Sequence, residues 1–270
     1  AFTHSAQGAT YYDVVLGDSP AGYWRLGEAA GATQAQDASG LNRDLDYNNA
    51  PASGFFGQSG AIVGDPDTAV KFTPGSPNPT VSSPNTSDFG FTSGQSFSAE
   101  YWIKALPGNT TASDAGLLTK GYDSSSDTPW YLSRYMPGGQ VDWFLRGPDK
   151  RVESTATVND GQWHHVVGVY DGAASEIHLY VDGRWQGTAT GVTATSYGTN
   201  TRPFTIANHL NRNVDASMDE IAMYNSALSD FQVLEHYSAG TGVPSLNVDF
   251  GSSSAAGPRQ SGFHEFEDTE

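Results

Sequence analysis

The 270-residue sequence contains no cysteine, which excludes a disulfide framework and any thiol-based catalysis. Basic residues are also scarce, with 13 lysines and arginines against 30 acidic residues and a formal net charge of −17. Because nucleic-acid affinity depends on basic side chains that neutralise phosphates, this balance argues against nucleic acids, anionic membranes and anionic polysaccharides as partners. Neutral ligands and divalent cations are compatible with the charge.

Long hydrophobic runs are missing as well. No apolar stretch approaches the ~18 residues that a membrane-spanning helix needs, so we expect no membrane insertion. The sequence begins without an initiator methionine or a signal peptide, and we therefore expect a mature or excised piece of a longer protein. Its length suits one large all-β domain or two small ones, and suffices to bury a core without covalent cross-links.

Turn-forming and aromatic residues are abundant, with 31 glycines, 14 prolines and 12% aromatic residues. After a loop-rich region over residues 37–64, segments with alternating apolar residues recur between turn residues. These segments are TAVKF, SFSAEYWIK, WYLSRYM, VDWFLR, QWHHVVGVYD, EIHLYVDG, PFTIAN and MDEIAMY. Such spacing, with almost no helix between the segments, predicts an all-β fold, a two-sheet antiparallel jelly-roll sandwich.

One short C-terminal helix is indicated. Ser229 and Gln232 form a capping box at its start, and Gly240 ends it. Near the N-terminus, the apolar residues up to Gly17 suggest only a short turn. We expect three regions along the chain: a linker over residues 1–10, a jelly-roll domain over 11–243, and a linker with the start of a further module or a disordered acidic tail over 244–270.

Five segments resemble, in the correct order, the landmarks of LamG-like jelly-roll domains. They are VLGDSPAGYWRLGE, DASGLNRD, QWHHVVGVYDG, IHLYVDG and MDEIAMYNSALS. LamG-like domains belong with laminin G modules, pentraxins and concanavalin A-like lectins and glucanases. The resemblance covers Tyr11 to Gly242 and implies the jelly-roll fold. It does not fix an activity, since this fold hosts lectins, adhesion modules, hydrolases and lyases.

The resemblance also implies a structural calcium ion. Such an ion lies between the loop after the first strand and the acidic residue that opens the last strand, positions that correspond to Asp37 and Asp219. Asn42 and Glu28 are further candidate ligands, because calcium takes carboxylate and carbonyl oxygens. The alternative is that Asp37 and Asp219 accept hydrogen bonds from backbone N–H groups.

Asp219 is of interest because strand alternation places it on the same face as Ile221 and Met223, at the edge of a buried layer. A buried carboxylate is costly unless it is paired, hydrogen-bonded or bound to a metal. Together with the calcium position that the resemblance implies, this leads us to predict that Asp219 faces a cation.

Catalytic residues are not expected. A glycosidase needs two carboxylates about 5–9.5 Å apart, and on this scaffold such pairs tend to follow an E-x-D-x-E pattern, which the sequence lacks. Polysaccharide lyases of similar fold use arginine, histidine and tyrosine sets. His178 and Tyr180 lack the accompanying arginine and lysine motifs. A hydrolase or lyase is the less favoured alternative.

Aromatic residues at solvent-facing strand positions predict a carbohydrate-binding surface. In VDWFLR, alternation turns Trp143 inward and Phe144 outward, and Ser133 is taken to mark the outward face of WYLSRYM. The predicted ligand-binding residues are Trp102, Tyr131, Tyr135, Phe144, Arg146 and Tyr180. One alternative is that these side chains cover loops or a neighbouring module. Another is that ligand binds at a rim formed by the loops over residues 208–215 and 120–130.

These observations predict a non-catalytic carbohydrate-binding or adhesion module, stabilised by Ca²⁺, from an extracellular (secreted or cell-surface) bacterial multi-domain protein. Its expected partners are a neutral glycan or a protein surface, together with neighbouring modules of the same polypeptide. Tethering raises effective concentration, so that even a weak single site would be useful. The main alternative is a protein-interaction or structural spacer without a sugar site.

Overall fold

The computed structural model describes residues 9–75, 77–108, 114–121, 130–147, 149–193, 197, 199–210, 212 and 214–243. In this part of the chain, two antiparallel sheets confirm the predicted all-β sandwich. Sheet A contains, in spatial order, β14 (Arg184–Thr190), β13 (Glu176–Val181), β12 (His164–Asp171), β7 (Phe97–Ala105), β16 (Ala216–Tyr224), β5 (Thr68–Phe72) and β4 (Gln58–Ser59), with β1 (Gly22–Trp24) also paired to β16. Sheet B contains, in spatial order, β11 (Lys150–Glu153), β10 (Val141–Arg146), β9 (Trp130–Tyr135), β8 (Ala115–Lys120), β15 (Phe204–Ile206), β6 (Thr80–Ser82), β3 (Leu45–Asn48) and β2 (Gln34–Ala35).

The main hydrophobic core lies between the inner faces of the two sheets. On β10, Val141, Trp143 and Leu145 belong to this core, as their alternation in the sequence predicts. Phe97 of β7 stacks on Phe91 with 4.1 Å between the ring centroids. Because each fully buried large apolar side chain contributes about 1.5–3 kcal/mol, these layers hold the sheets together without disulfides.

Two helices cover the outer face of sheet A. Helix α1 (Tyr11–Gly17) begins at a capping box formed by Thr10, where the sequence suggested only a short turn. Helix α2 (Asp230–Thr241) begins at the predicted capping box of Ser229 and Gln232. Apolar side chains of both helices form a second buried cluster with β7, β12 and β13. The central strands of sheet A are therefore buried on both faces.

Among the described residues, regular secondary structure begins at Tyr11 and ends at Thr241, within the range predicted for the jelly-roll domain. Most of the predicted N-terminal linker and the whole of the predicted segment 244–270 lie outside the described residues. Within the described residues, no helix combines the length and the apolar character needed to cross a membrane.

A buried polar cluster joins both helices to sheet A. His236 of α2 donates from Nδ1 to the Glu100 carboxylate of β7 (2.8 Å) and from Nε2 to Asp18, which follows α1 (2.9 Å). Glu100 also contacts His165 Nε2 at 3.1 Å and accepts from the Tyr224 hydroxyl at 2.5 Å. Although burial alone would lower it, Glu100 and Asp18 raise the pKa of His236 to about 9.

The charge on His236 predicts that the free energy of unfolding decreases at alkaline pH. Because the unfolded chain has an ordinary histidine pKa, this contribution is fully present below about pH 6.5 and is lost as the pH rises through about 9. We expect a loss on the order of 2 kcal/mol between pH 7 and 10, measured by chemical denaturation.

A His236→Gln variant provides the control. It lacks the titrating imidazole, so it should be less stable than the wild type at pH 7 and should lose less stability between pH 7 and 10. Parallel pH profiles for the two proteins would contradict the assignment of charge to His236.

Candidate functional site

A pocket of about 520 Å³ opens on the outer face of sheet B, away from the helices. We name it the arginine pocket, because its lining holds four of the 13 basic residues in a chain with a net charge of −17. Its volume falls within the roughly 300–1,000 Å³ range of ligand pockets. The lining residues are Asp114, Arg134, Phe144, Arg146, Asp149, Arg151, His209, Leu210 and Arg212.

The floor of the pocket is an ion pair between neighbouring strands. Arg134 of β9 lies directly opposite Asp142 of β10 in the sheet register. The Asp142 carboxylate is fully buried and accepts hydrogen bonds from Arg134 Nε (3.1 Å) and Nη2 (2.5 Å). Burial raises the pKa of Asp142 above its usual value, and the Arg134 guanidinium partly offsets this effect. Arg134 is thereby held in one orientation.

Phe144 is the aromatic element of the pocket. It lies one step beyond Asp142 on the outward face of β10, and the Arg134 guanidinium sits over its ring, 5.5 Å from the centroid. Arg151 of β11 is the cross-strand partner of Phe144. Phe144 therefore lies on a strand whose two neighbours each carry an arginine of the pocket.

The other arginines of the pocket also have acidic partners. Asp114 lies 3.7 Å from both Arg134 and Arg212, measured between nitrogen and carboxylate oxygen. Arg146 pairs with Asp149 at 3.2 Å, and Arg151 pairs with Glu153 at 3.5 Å. These arginines and acids place hydrogen-bond donors and acceptors at the rim, because each guanidinium has five N–H groups and its partner occupies only some of them.

His209 closes one side of the pocket. The loop that carries it packs tightly on Gly116 of β8, where an added Cβ would lie 2.5 Å from the His209 Cβ. Glycine is therefore required for this close approach. Burial and the nearby charges of Arg134 and Arg212 lower the pKa of His209 to about 4, so the imidazole is neutral at neutral pH.

Phe144 and Arg146 are the two predicted ligand-binding residues that the structure brings together. Sequence reasoning missed Arg134 and Arg151, whereas Arg212 lies in the 208–215 loop of the alternative rim site. Residues 122–129 of the other rim loop lie outside the described residues. The alternation in VDWFLR identified the outward face of β10, but the sequence does not show which residues of β9 and β11 lie beside it. Strand register supplies that information.

The prediction that Tyr131 and Tyr135 face solvent is wrong, because both side chains are buried in the main core. The reason is Ser133, whose polar side chain predicts a solvent-facing position. Its hydroxyl is buried, contacts the Tyr101 hydroxyl at 2.7 Å and donates to the Asp142 carbonyl at 2.9 Å. A hydrogen-bonded serine in the core reversed the predicted faces of β9.

Trp102 and Tyr180 are also buried, so the prediction of exposure is wrong for them as well. Both point to the outer face of sheet A, but α2 covers that face. Gly240 of α2 lies against the Trp102 ring, and the Tyr180 hydroxyl donates to Asp230 at 2.5 Å. Alternation placed these residues on the correct face and could not show that a helix packs on it.

The Asp37 carboxylate is occupied by backbone hydrogen bonds. It accepts from the backbone N–H groups of Tyr23 (3.0 Å), Ser39 (2.9 Å) and Arg43 (2.9 Å). Burial acts in the opposite direction, but these hydrogen bonds keep the pKa of Asp37 below its usual value. Asp37 therefore has the arrangement of a turn aspartate that binds its own backbone.

Asp219 does not share the face of Ile221 and Met223, contrary to the prediction. A β-bulge between Asp219 and Ala222, with Glu220 at a φ of 50°, shifts the alternation of β16. The Asp219 carboxylate accepts from the backbone N–H of Ala61 (2.7 Å) and of Glu220 (3.0 Å). Burial and the Glu220 charge raise the pKa of Asp219 well above its usual value.

The predicted calcium ligands do not fit an ion in this arrangement. The Glu28 carboxylate accepts from the Gln36 N–H (2.8 Å) and the Tyr47 hydroxyl (2.6 Å), and Asn42 lies on an exposed turn with a φ of 56°. Among the described residues, no three histidine or acidic side chains are placed to hold a metal. Calcium binding stays a prediction from the resemblance, and melting curves with calcium and with EDTA would test it.

The family of the chain follows from its sequence. Residues 75–234 match a laminin G-type model of the concanavalin A-like lectin/glucanases superfamily. The match covers more than half of the chain, and the chain therefore belongs to this superfamily. A comparison with curated protein sequences gave no match.

Solved structures of binding domains share the fold. The binding domain of Paraclostridial Mosquitocidal Protein 1 is 14% identical (TM-score 0.63), covering 83% of this chain and 53% of that chain. Domain 4 of AbnA is 15% identical (TM-score 0.58), covering 81% of this chain and 98% of that chain. AbnA is a GH43 extracellular arabinanase from Geobacillus stearothermophilus, and this domain was solved in complex with arabinotriose. The ligand binding domain of botulinum neurotoxin serotype D, solved with N-acetylneuraminic acid, is 12% identical (TM-score 0.59), covering 84% of this chain and 52% of that chain. This chain spans about half of each toxin domain, and at these identities the likeness shows the fold alone.

The ion pair on the pocket floor predicts an unequal effect of two arginine substitutions. Arg134→Gln leaves the buried Asp142 carboxylate without its cation and should destabilise the protein by roughly 3 kcal/mol. Arg146→Gln removes a half-exposed surface pair and should change stability by less than about 1 kcal/mol. Urea denaturation of both variants measures the difference. Equal losses would contradict a structural role for the Arg134–Asp142 pair.

Proposed function

We propose that this chain is a non-catalytic carbohydrate-binding module that holds a neutral glycan in the arginine pocket. The observation that carries the proposal is the half-buried Phe144 ring, which lines the pocket together with arginine donors and carboxylate acceptors on the outer face of sheet B. The C–H face of a sugar ring is apolar, whereas its hydroxyls donate and accept hydrogen bonds. One aromatic ring inside a polar rim offers partners to both.

The pairing of charges favours a neutral ligand. Arg134, Arg146 and Arg151 each have a carboxylate partner, and Arg212 shares Asp114 with Arg134. The neutral His209 adds no charge. An anionic group would have to compete with these carboxylates, while a hydroxyl can use the remaining N–H groups and oxygen lone pairs without disturbing the pairs.

Similar domains support a role in binding. AbnA domain 4 was solved with arabinotriose, and the botulinum neurotoxin serotype D domain with N-acetylneuraminic acid. Both contacts belong to those proteins, and the residues that make them are not inferred for this chain. They support the view that a jelly roll of this shape serves as a glycan-binding domain in larger proteins.

A non-catalytic role agrees with the carboxylates of the pocket. Asp114 and Asp149 both line it, and each contacts an arginine of the same pocket. The sequence also lacks the E-x-D-x-E pattern. We further propose that the module acts outside the cell, secreted or on the surface, beside other modules of a bacterial protein that it keeps close to their substrate.

Binding to neutral oligosaccharides tests the proposal. We expect at least one of arabinotriose, xylotriose and cellotriose to bind in isothermal titration calorimetry. Phe144→Ala should weaken that binding about tenfold or more, because truncating a central aromatic contact costs 1–2 kcal/mol or more. Arg146→Gln should weaken it as well, since the residue lies at the pocket rim.

Leu106→Ala is the matched control. Leu106 is an exposed apolar residue outside the pocket, at 57% exposure, so its truncation should leave affinity unchanged. Absence of binding to all of these neutral oligosaccharides would contradict the proposal and favour a protein-interaction spacer. Release of reducing ends or unsaturated products from a polysaccharide would instead establish a hydrolase or lyase.

A further inference from the structure

Trp185 is an exposed tryptophan on the outer face of sheet A. It lies on the edge strand β14 and pairs across the sheet with Tyr180 of β13, so both side chains point to the same face. Tyr180 is buried under α2, whereas 60% of Trp185 is exposed. Helix α2 therefore covers Tyr180 but does not extend over Trp185, whose ring remains in contact with solvent.

The Trp185 ring is held in place by hydrogen bonds. Its indole N–H donates to the Thr188 hydroxyl oxygen at 3.1 Å, and the same oxygen lies 2.7 Å from His178 Nδ1. His178 Nε2 lies 3.6 Å from a Glu176 carboxylate oxygen. The register places His178 opposite Thr188 and Glu176 opposite Thr190, so a row of polar groups continues along the edge from the ring.

Apolar side chains of α2 lie near the turn that leads into β14. Gly183, in the turn before β14, packs against Leu234 and Tyr237 of α2. Leu234 is 39% exposed, and Phe231, one turn earlier on the same side of the helix, is 65% exposed. The Trp185 ring is thus a flat exposed surface with hydrogen-bonding groups beside it, two residues after a turn that packs on α2.

We propose that Trp185 is the centre of a second carbohydrate subsite, which takes one ring of a neutral polysaccharide chain. The C–H face of the sugar would stack on the indole, and its hydroxyls would bond with Thr188, His178 and Glu176. A hydrogen bond that fixes the ring lowers the entropy lost on stacking. The subsite shares its ligand class with the proposed function but none of its residues, because the arginine pocket lies on the opposite sheet.

The polar row distinguishes this surface from a protein-docking patch. A protein interface of ordinary size needs about 800 Å² on each partner with an apolar centre. Here the polar groups beside the exposed ring are the hydroxyl of Thr188 and the side chains of His178 and Glu176. This arrangement suits a single sugar ring.

The test is affinity electrophoresis of the full chain in gels that contain debranched arabinan, xylan or mixed-linkage β-glucan. We expect the wild type to be retarded by at least one of them, and Trp185→Ala to weaken that retardation about tenfold. Trp185→Phe keeps an aromatic ring and should retain part of the binding. Leu106→Ala, an exposed apolar residue outside both sites, is the control.

Comparison with Phe144→Ala separates this subsite from the arginine pocket. If both sites bind, each single variant keeps part of the retardation and the double variant loses it. Loss with Phe144→Ala alone, and wild-type retardation of Trp185→Ala, would overturn the subsite and leave the proposed function intact. Loss with Trp185→Ala alone would support the subsite and contradict the pocket.

Iodide quenching of tryptophan fluorescence gives an independent measurement. The retarding polysaccharide should shield part of the wild-type emission from iodide, and this shielded part should disappear in Trp185→Phe. Unchanged quenching with every polysaccharide would overturn the proposal. Equal retardation of wild type and Trp185→Ala by all three polysaccharides would overturn it too, as would the absence of any retardation, which also counts against the proposed function.

Discussion

The architecture depends on the carboxylate of Glu100, which is buried at the centre of sheet A beneath both helices. A fully buried carboxylate is tolerated only when several donors surround it, and His165, Tyr224 and His236 provide them. Two of these donors come from the sheet and the third comes from α2, which in turn binds Asp18 after α1. Without helix α2, the Glu100 carboxylate would lose the hydrogen bond from His236, and this cost favours the packing of the helices on the outer face of sheet A. The outer face of sheet B is then the broad surface on which a pocket can form.

The fold was predictable because its determinants are local. Alternation located most strands of the two sheets, and the capping box of Ser229 and Gln232 located the start of α2. Helix α1 was missed because its seven residues are too few to show helical periodicity. The prediction of solvent-exposed residues was wrong at positions where burial does not follow the alternation of the strand. Trp102 faces outward and is covered by a helix, whereas Ser133 faces inward and is satisfied by hydrogen bonds.

The site was only half predictable because it depends on register and on one irregularity. Phe144 was found from its own strand, but Arg134 and Arg151 are brought beside it by pairing on either side. Net charge was also misleading, because it averages over the chain, and four arginines concentrate in a single pocket. At Asp219, a bulge moved the side chain off the expected face, and a two-residue period cannot reveal a bulge. The resemblance could name candidate calcium ligands but could not show that backbone N–H groups occupy them.

The placement of the two proposed sites restricts the form of the ligand. The arginine pocket opens on the outer face of sheet B, and Trp185 projects from the outer face of sheet A. A flat, rigid fibre surface can contact one of these faces at a time, so it would gain no avidity from the second site. A flexible chain can pass around the edge where β11 and β14 meet, and separate chains can be bridged by the two faces. Opposed sites therefore suit a soluble or swollen neutral polysaccharide better than a crystalline one, because a single flexible chain can reach both sites.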